Sequence, residues 1–68
     1  MKVYRFLTGS DDAGFCHRVT AALNSGWHLF GSPTYAFDGA SNAMRCGQAL
    51  VKDVEGAEYS PDMKLDDL

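Results

Sequence analysis

The stretch Asn24-Ser25-Gly26-Trp27-His28-Leu29-Phe30-Gly31-Ser32-Pro33-Thr34-Tyr35-Ala36-Phe37 constrains the fold of this chain more than any other. It reads as a helix stop running straight into a strand. Gly26 supplies the left-handed conformation that a helix terminus requires. Beyond it, Trp27, Leu29, Tyr35 and Phe37 share one parity, while Phe30 and Ala36 share the other. Alternate residues of a strand face opposite sides of a sheet, so this strand is apolar on both faces. A chain of 68 residues makes one domain and has material for only one covering layer. The second apolar face is therefore expected to need a partner.

Three further segments complete the outline. Lys2–Thr8 alternates Tyr4, Phe6 and Thr8 against Val3, Arg5 and Leu7, the pattern of a short strand. Gly9-Ser10-Asp11-Asp12 reads as a turn and helix start, with Ser10 or Asp11 accepting bonds from the free N–H groups. Phe15, Val19, Ala22 and Leu23 then form an amphipathic stripe. Asp38–Asn42 carries the turn chemistry of a hairpin loop, and Met44–Val54 returns as a third strand. Pro33 has no ladder N–H, which assigns the second strand to an edge and places a break or bulge near Gly31-Ser32-Pro33. The expected fold is α+β: a two-layer β-α-β-β unit whose three-stranded antiparallel sheet runs in the order 2-3-1, with one helix on one face. Residues 1–54 are expected to form the compact domain and residues 55–68 an acidic C-terminal tail.

Charge is distributed unevenly along the chain. Residues 1–53 carry five Lys/Arg against four Asp/Glu, whereas residues 54–68 carry Lys64 against five carboxylates. No basic face of the kind that neutralises phosphates is legible, so nucleic acid is not an expected partner. No run approaches the roughly 18–20 apolar residues of a membrane span, and no secretory apolar segment stands at the start. A membrane is not an expected partner either. With two cysteines and no paired-cysteine motif, a reducing, cytoplasmic setting with free thiols is expected.

Residues able to carry chemistry are few. Cys16, His17, His28 and Cys46 are the only soft or imidazole ligands, and adjacent Cys16 and His17 diverge by about 100° on a helix. Neither a metal nor a cofactor is expected on that set. A nucleophilic Cys16 would need a histidine brought from elsewhere, and catalysis is not expected. Gln48, a polar amide in an otherwise small and apolar strand, should find a hydrogen-bond partner at a backbone edge or across an interface.

The segments Tyr4–Gly9, Phe15–Val19, Leu23–Trp27, Gly31-Ser32-Pro33 and Cys46–Ala49 together form a pattern that resembles the small bacterial and viral family called domain of unknown function 1737. The similarity runs from about Lys2 to Asp53. It implies a self-contained domain and brings no activity, substrate or catalytic residue with it.

The leading functional expectation is a small soluble homodimeric interaction or accessory module, packed sheet to sheet. Phe30, Tyr35 and Phe37 are its candidate contacts, and the open sheet edge could take a protein partner by strand addition. The competing way to cover the second face is for the tail to fold back over it. The alternative function is small-molecule binding at a subunit interface around Trp27, His28 and Gln48.

Overall fold

In the computed structural model, residues 1–66 and 68 are described in full and residue 67 by its backbone alone. Strand β1 spans Lys2–Ser10, helix α1 Ala13–Asn24, strand β2 His28–Asp38 and strand β3 Ala43–Asp53. A short 3-10 turn at Leu65–Asp67 follows near the C-terminus. The three strands form one antiparallel sheet in the order β1-β3-β2, which is 2-3-1 counted from the opposite edge. β3 is thus the central strand, and β2 is an edge.

Turn and cap chemistry explains the element boundaries. β1 runs two residues beyond Thr8, because Gly9 and Ser10 stay in the ladder opposite Cys46 and Arg45. Ser10 is therefore unavailable as a helix cap. Asp12 takes that role instead, its side chain accepting from Phe15 N at 3.2 Å. Asp11 points elsewhere and accepts from the Tyr35 hydroxyl. These two placements correct the expected cap at Ser10 or Asp11.

At its other end the helix closes with the paired bonds of a Schellman motif. Trp27 N donates to Ala22 O at 3.1 Å and Gly26 N to Leu23 O at 3.2 Å. Gly26 has φ +97°, a left-handed conformation that costs glycine little. The motif delivers Trp27 directly beneath the helix, where only 2% of it is exposed.

The second strand bulges where expected. Phe30 pairs with Ala49 and the next pairing is Thr34 with Gly47, so two extra residues are accommodated around Gly31 (φ +73°) and Pro33. Because the insertion is even, side-chain parity survives it. At the hairpin tip, Asp38 accepts from Ala40 N at 3.1 Å and from Ser41 Oγ at 2.8 Å.

The core lies between helix and sheet. Val3, Leu7, Ala22, Trp27 and Leu50 are buried, with Phe15 and Val19 packed against them. Leu23 departs from the expected stripe and is 41% exposed. The C-terminal segment joins this same side: Leu65 and Leu68 pack on the core, and Lys52 Nζ donates to Leu68 O. On the opposite face of the sheet Tyr4, Phe6 and Phe30 remain about half exposed.

Candidate functional site

Strand register decides which side chains stand together. In an antiparallel ladder, directly paired residues share a face. The pairs Tyr4–Val51, Phe6–Ala49 and Thr8–Gly47 on one side, with His28–Val51, Phe30–Ala49 and Thr34–Gly47 on the other, define the face away from the core. Its aromatic residues remain open: Tyr4 is 52%, Phe6 48% and Phe30 59% exposed. This face has an apolar centre at Phe6, Ala49 and Phe30, flanked by Tyr4, His28 and Val51. It narrows at Gly47, where the Phe6 ring and the Thr34 hydroxyl lie over the glycine.

Phe30 therefore stands with Tyr4 and Phe6, not with Tyr35 and Phe37. Tyr35 pairs with Cys46 and Phe37 with Met44, both on the face that carries the helix. They lie beyond the helix start and stay exposed, Tyr35 at 59% and Phe37 at 61%. The Tyr35 hydroxyl donates to Asp11 Oδ2 at 2.5 Å. That hydrogen bond to a carboxylate, with some loss of solvent, holds the phenol above its ordinary pKa. The candidate contacts thus divide into one residue on the open face and two on the opposite side. Tyr4 and Phe6, which complete the open face, alternate plainly in the sequence; what the sequence lacks is which face of β2 the helix covers.

Trp27, His28 and Gln48 also separate. His28 is exposed on the open face, opposite Val51, whereas Trp27 and Gln48 lie on the core side. Gln48 is 6% exposed, and its Nε2 donates to Ala49 O at 2.9 Å and Gly31 O at 3.4 Å. The amide ties the bulge of β2 to the central strand, the backbone partnership expected of a buried glutamine. Trp27 is flanked by two cations, with Arg5 Cζ 5.3 Å and Lys52 Nζ 6.0 Å from its ring centroid.

The thiols are both free, Cys16 exposed on α1 beside Leu29 of β2 and Cys46 half-buried on β3. Burial pushes the Cys46 thiol up, and nearby Asp11 adds to the shift, so the thiolate is disfavoured. Among the described residues, no group of three or more His, Cys, Asp or Glu side chains converges as a metal site would require. No described helix is long and apolar enough to cross a membrane.

Fold and surface together define a class: a small α+β domain with an open antiparallel sheet and an aromatic face turned away from its helix. The family model of the domain of unknown function DUF1737 matches residues 1–53, and the chain belongs to that family. Comparison with curated proteins and with solved structures gives no match.

Proposed function

We propose that this domain works by association, as a homodimeric interaction or accessory module without catalysis of its own. In this reading two copies pack through the sheet faces that carry Tyr4, Phe6 and Phe30. Each subunit would then be a two-layer unit, with its helix outside and its sheet against the partner. The observation that carries the reading is the set of three half-exposed aromatic rings on one uncovered face. Leu65 and Leu68 of the C-terminal segment, a competing cover, pack on the helix side instead.

Size supports the same conclusion. The chain exposes 4836 Å². A compact monomer of its mass, 7.4 kDa, is expected to expose about 4,200 Å². The excess of about 600 Å² approaches the roughly 800 Å² that each partner contributes to a standard interface. The radius of gyration, 13.5 Å, likewise exceeds the roughly 11 Å expected for this length. A second copy satisfies the face without requiring any partner of different chemistry.

The free edge of β2 offers backbone groups for strand addition by a protein partner, limited by the bulge before Thr34. Free Cys16 and Cys46 support a reducing, cytoplasmic setting for the assembly. Native mass spectrometry across a dilution series tests the association directly. A dimer of bare polypeptide mass is expected at low micromolar concentration; a monomer throughout the series would refute the reading.

A further inference from the structure

A second surface lies on the other side of the sheet and is independent of the association just proposed. Between β1, the C-terminal half of α1 and the last residues of the chain is a half-open cavity of about 340 Å³. That volume falls at the lower end of the roughly 300–1,000 Å³ typical of small-ligand sites. Arg5, Arg18, Leu7, Ala22 and Trp27 line it, with Asp66 at its rim.

The lining divides by chemistry. Leu7, Ala22 and Trp27 form an apolar floor, all of them buried. Two guanidinium groups stand above that floor. Arg18 uses one terminal nitrogen to donate to Thr8 O at 2.8 Å, which ties its side chain to the backbone of β1 where it lines the groove. Arg5 lies over the Trp27 ring, 5.3 Å from its centroid, and its side chain is only 20% exposed. Among the described residues its charged partner is Asp66, whose Oδ1 lies 3.6 Å from Nε. The Asp66 side chain is 86% exposed, so this ion pair is heavily solvated and weakly held.

Asp66 thus shows which chemistry the groove accepts. A carboxylate already sits at Arg5, supplied by the chain itself from a segment that packs through Leu65 and Leu68. A planar guanidinium fork matches a carboxylate in two parallel hydrogen bonds, and the present contact uses Nε without satisfying that fork. The cavity beside it is bounded by Arg18 and by the side chains of Leu7, Ala22 and Trp27.

We propose that this groove is a binding site for a small carboxylic acid with an apolar body. Arg5 and Arg18 take the carboxylate, Leu7, Ala22 and Trp27 take the body, and Asp66 competes for Arg5. The competition makes the C-terminal segment a displaceable rim of the site.

The test is a titration of the full chain, labelled with ¹⁵N, with acetate, butyrate and 3-phenylpropionate, and with 3-phenylpropionamide as the uncharged control. Amide and guanidinium correlation spectra show both folding and the place of binding. Trp27 is the only tryptophan, so its indole N–H and fluorescence report on the groove floor without a second indole signal. Saturable shifts are expected at Arg5, Arg18, Leu7, Ala22 and Trp27, strengthening from acetate to 3-phenylpropionate. The amide should bind about tenfold more weakly, as loss of a charge-assisted pair implies. Asp66→Asn should tighten the acid several-fold. Arg5→Met should abolish its preference over the amide, and Arg5→Lys should restore that preference only in part.

The proposal is overturned if acid and amide bind alike, or if the shifts fall outside the groove. It is overturned equally if neither the natural chain nor Asp66→Asn responds up to about 20 mM, where a weak millimolar site fills. None of these readings depends on the oligomeric mass, so the groove and the dimer stand or fall separately.

Discussion

The ring of Phe6 lies over Gly47 so closely that a Cβ at Gly47 would stand 2.5 Å from Phe6 Cζ. The Thr34 hydroxyl closes the other side at 2.5 Å, so a side chain there has nowhere to go without moving a neighbour. Glycine in the central strand is thus explained by packing rather than by φ. Its missing Cβ leaves the space that the Phe6 ring and the Thr34 hydroxyl occupy.

Gly47→Ala tests that relationship. Overpacking of this kind costs about 1–3 kcal/mol, partly offset by the lower backbone entropy of alanine in a strand. A net loss of about 1–2 kcal/mol is expected in urea unfolding. In a Phe6→Ala background the same substitution should cost markedly less, because the two residues touch. Equal losses in both backgrounds would show that the Phe6 ring is not what excludes the side chain.

The proposed association separates the exposed aromatic residues by face. Phe6→Asp and Phe30→Asp each place a carboxylate in the centre of the expected contact, and each should give a folded monomer by native mass spectrometry. Tyr35→Asp and Phe37→Asp lie on the helix side and should leave the dimer unchanged. Dissociation caused by Tyr35→Asp but not by Phe30→Asp would place the contact on the wrong side of the sheet.

That division shows where sequence reading succeeds and where it stops. The Gly26 stop, the bulge before Thr34 and the hairpin after Asp38 rest on local backbone chemistry, and each is legible in a few residues. Side-chain parity along β2 is legible too. Which parity meets the helix is not, because it depends on how β2 registers against β3 and on the side from which α1 descends. Parity alone already sets Phe30 apart from Tyr35 and Phe37, and His28 apart from Trp27; only the three-dimensional structure shows which of the two sets stands on the open face. The Asp12 cap was displaced from Ser10 for a related reason: ladder pairing with Arg45 retained Ser10 in β1, a tertiary contact that local capping preference cannot reveal.

Asp38 gives a pH signature for the hairpin. Hydrogen bonds from Ser41 Oγ and Ala40 N hold its carboxyl below the ordinary carboxylate range. A lowered folded-state pKa means that the stabilisation is complete above the unfolded value, about 3.9, and is lost as pH falls through the lower folded value. Asp38→Asn should lower Tm at neutral pH, and the gap should narrow below about pH 4. A gap that stays constant down to strongly acid pH would mean that these bonds do not distinguish the ionised side chain.

Tyr35 carries the opposite sign. Its bond to Asp11 raises the phenol pKa, so the stabilisation is present below the ordinary tyrosine value, about 10, and disappears as pH rises through the higher folded value. Asp11→Asn removes the accepting charge and should shift one tyrosine's ionisation, followed by absorbance at 295 nm, to lower pH. An unchanged titration would show that the Tyr35–Asp11 bond is not maintained in solution.

Gly26 tests the helix stop that delivers Trp27 to the core. At φ +97° an L-residue is strained whatever space surrounds it, and a Cβ there would also lie 3.4 Å from Lys52 Cε. Lys52 donates to Ser25 O at 2.8 Å, at the negative end of the helix, so the left-handed backbone rather than this contact sets the cost. Gly26→Ala should cost about 1–2 kcal/mol, and Gly26→Asn less, since asparagine tolerates the left-handed region better than alanine. Both losses are readable from Trp27 fluorescence during denaturation, because the substituted residue adjoins the buried indole. The expected order of stability is Gly, Asn, Ala; alanine matching glycine would mean that the Trp27 N–H to Ala22 O closure does not require the left-handed turn.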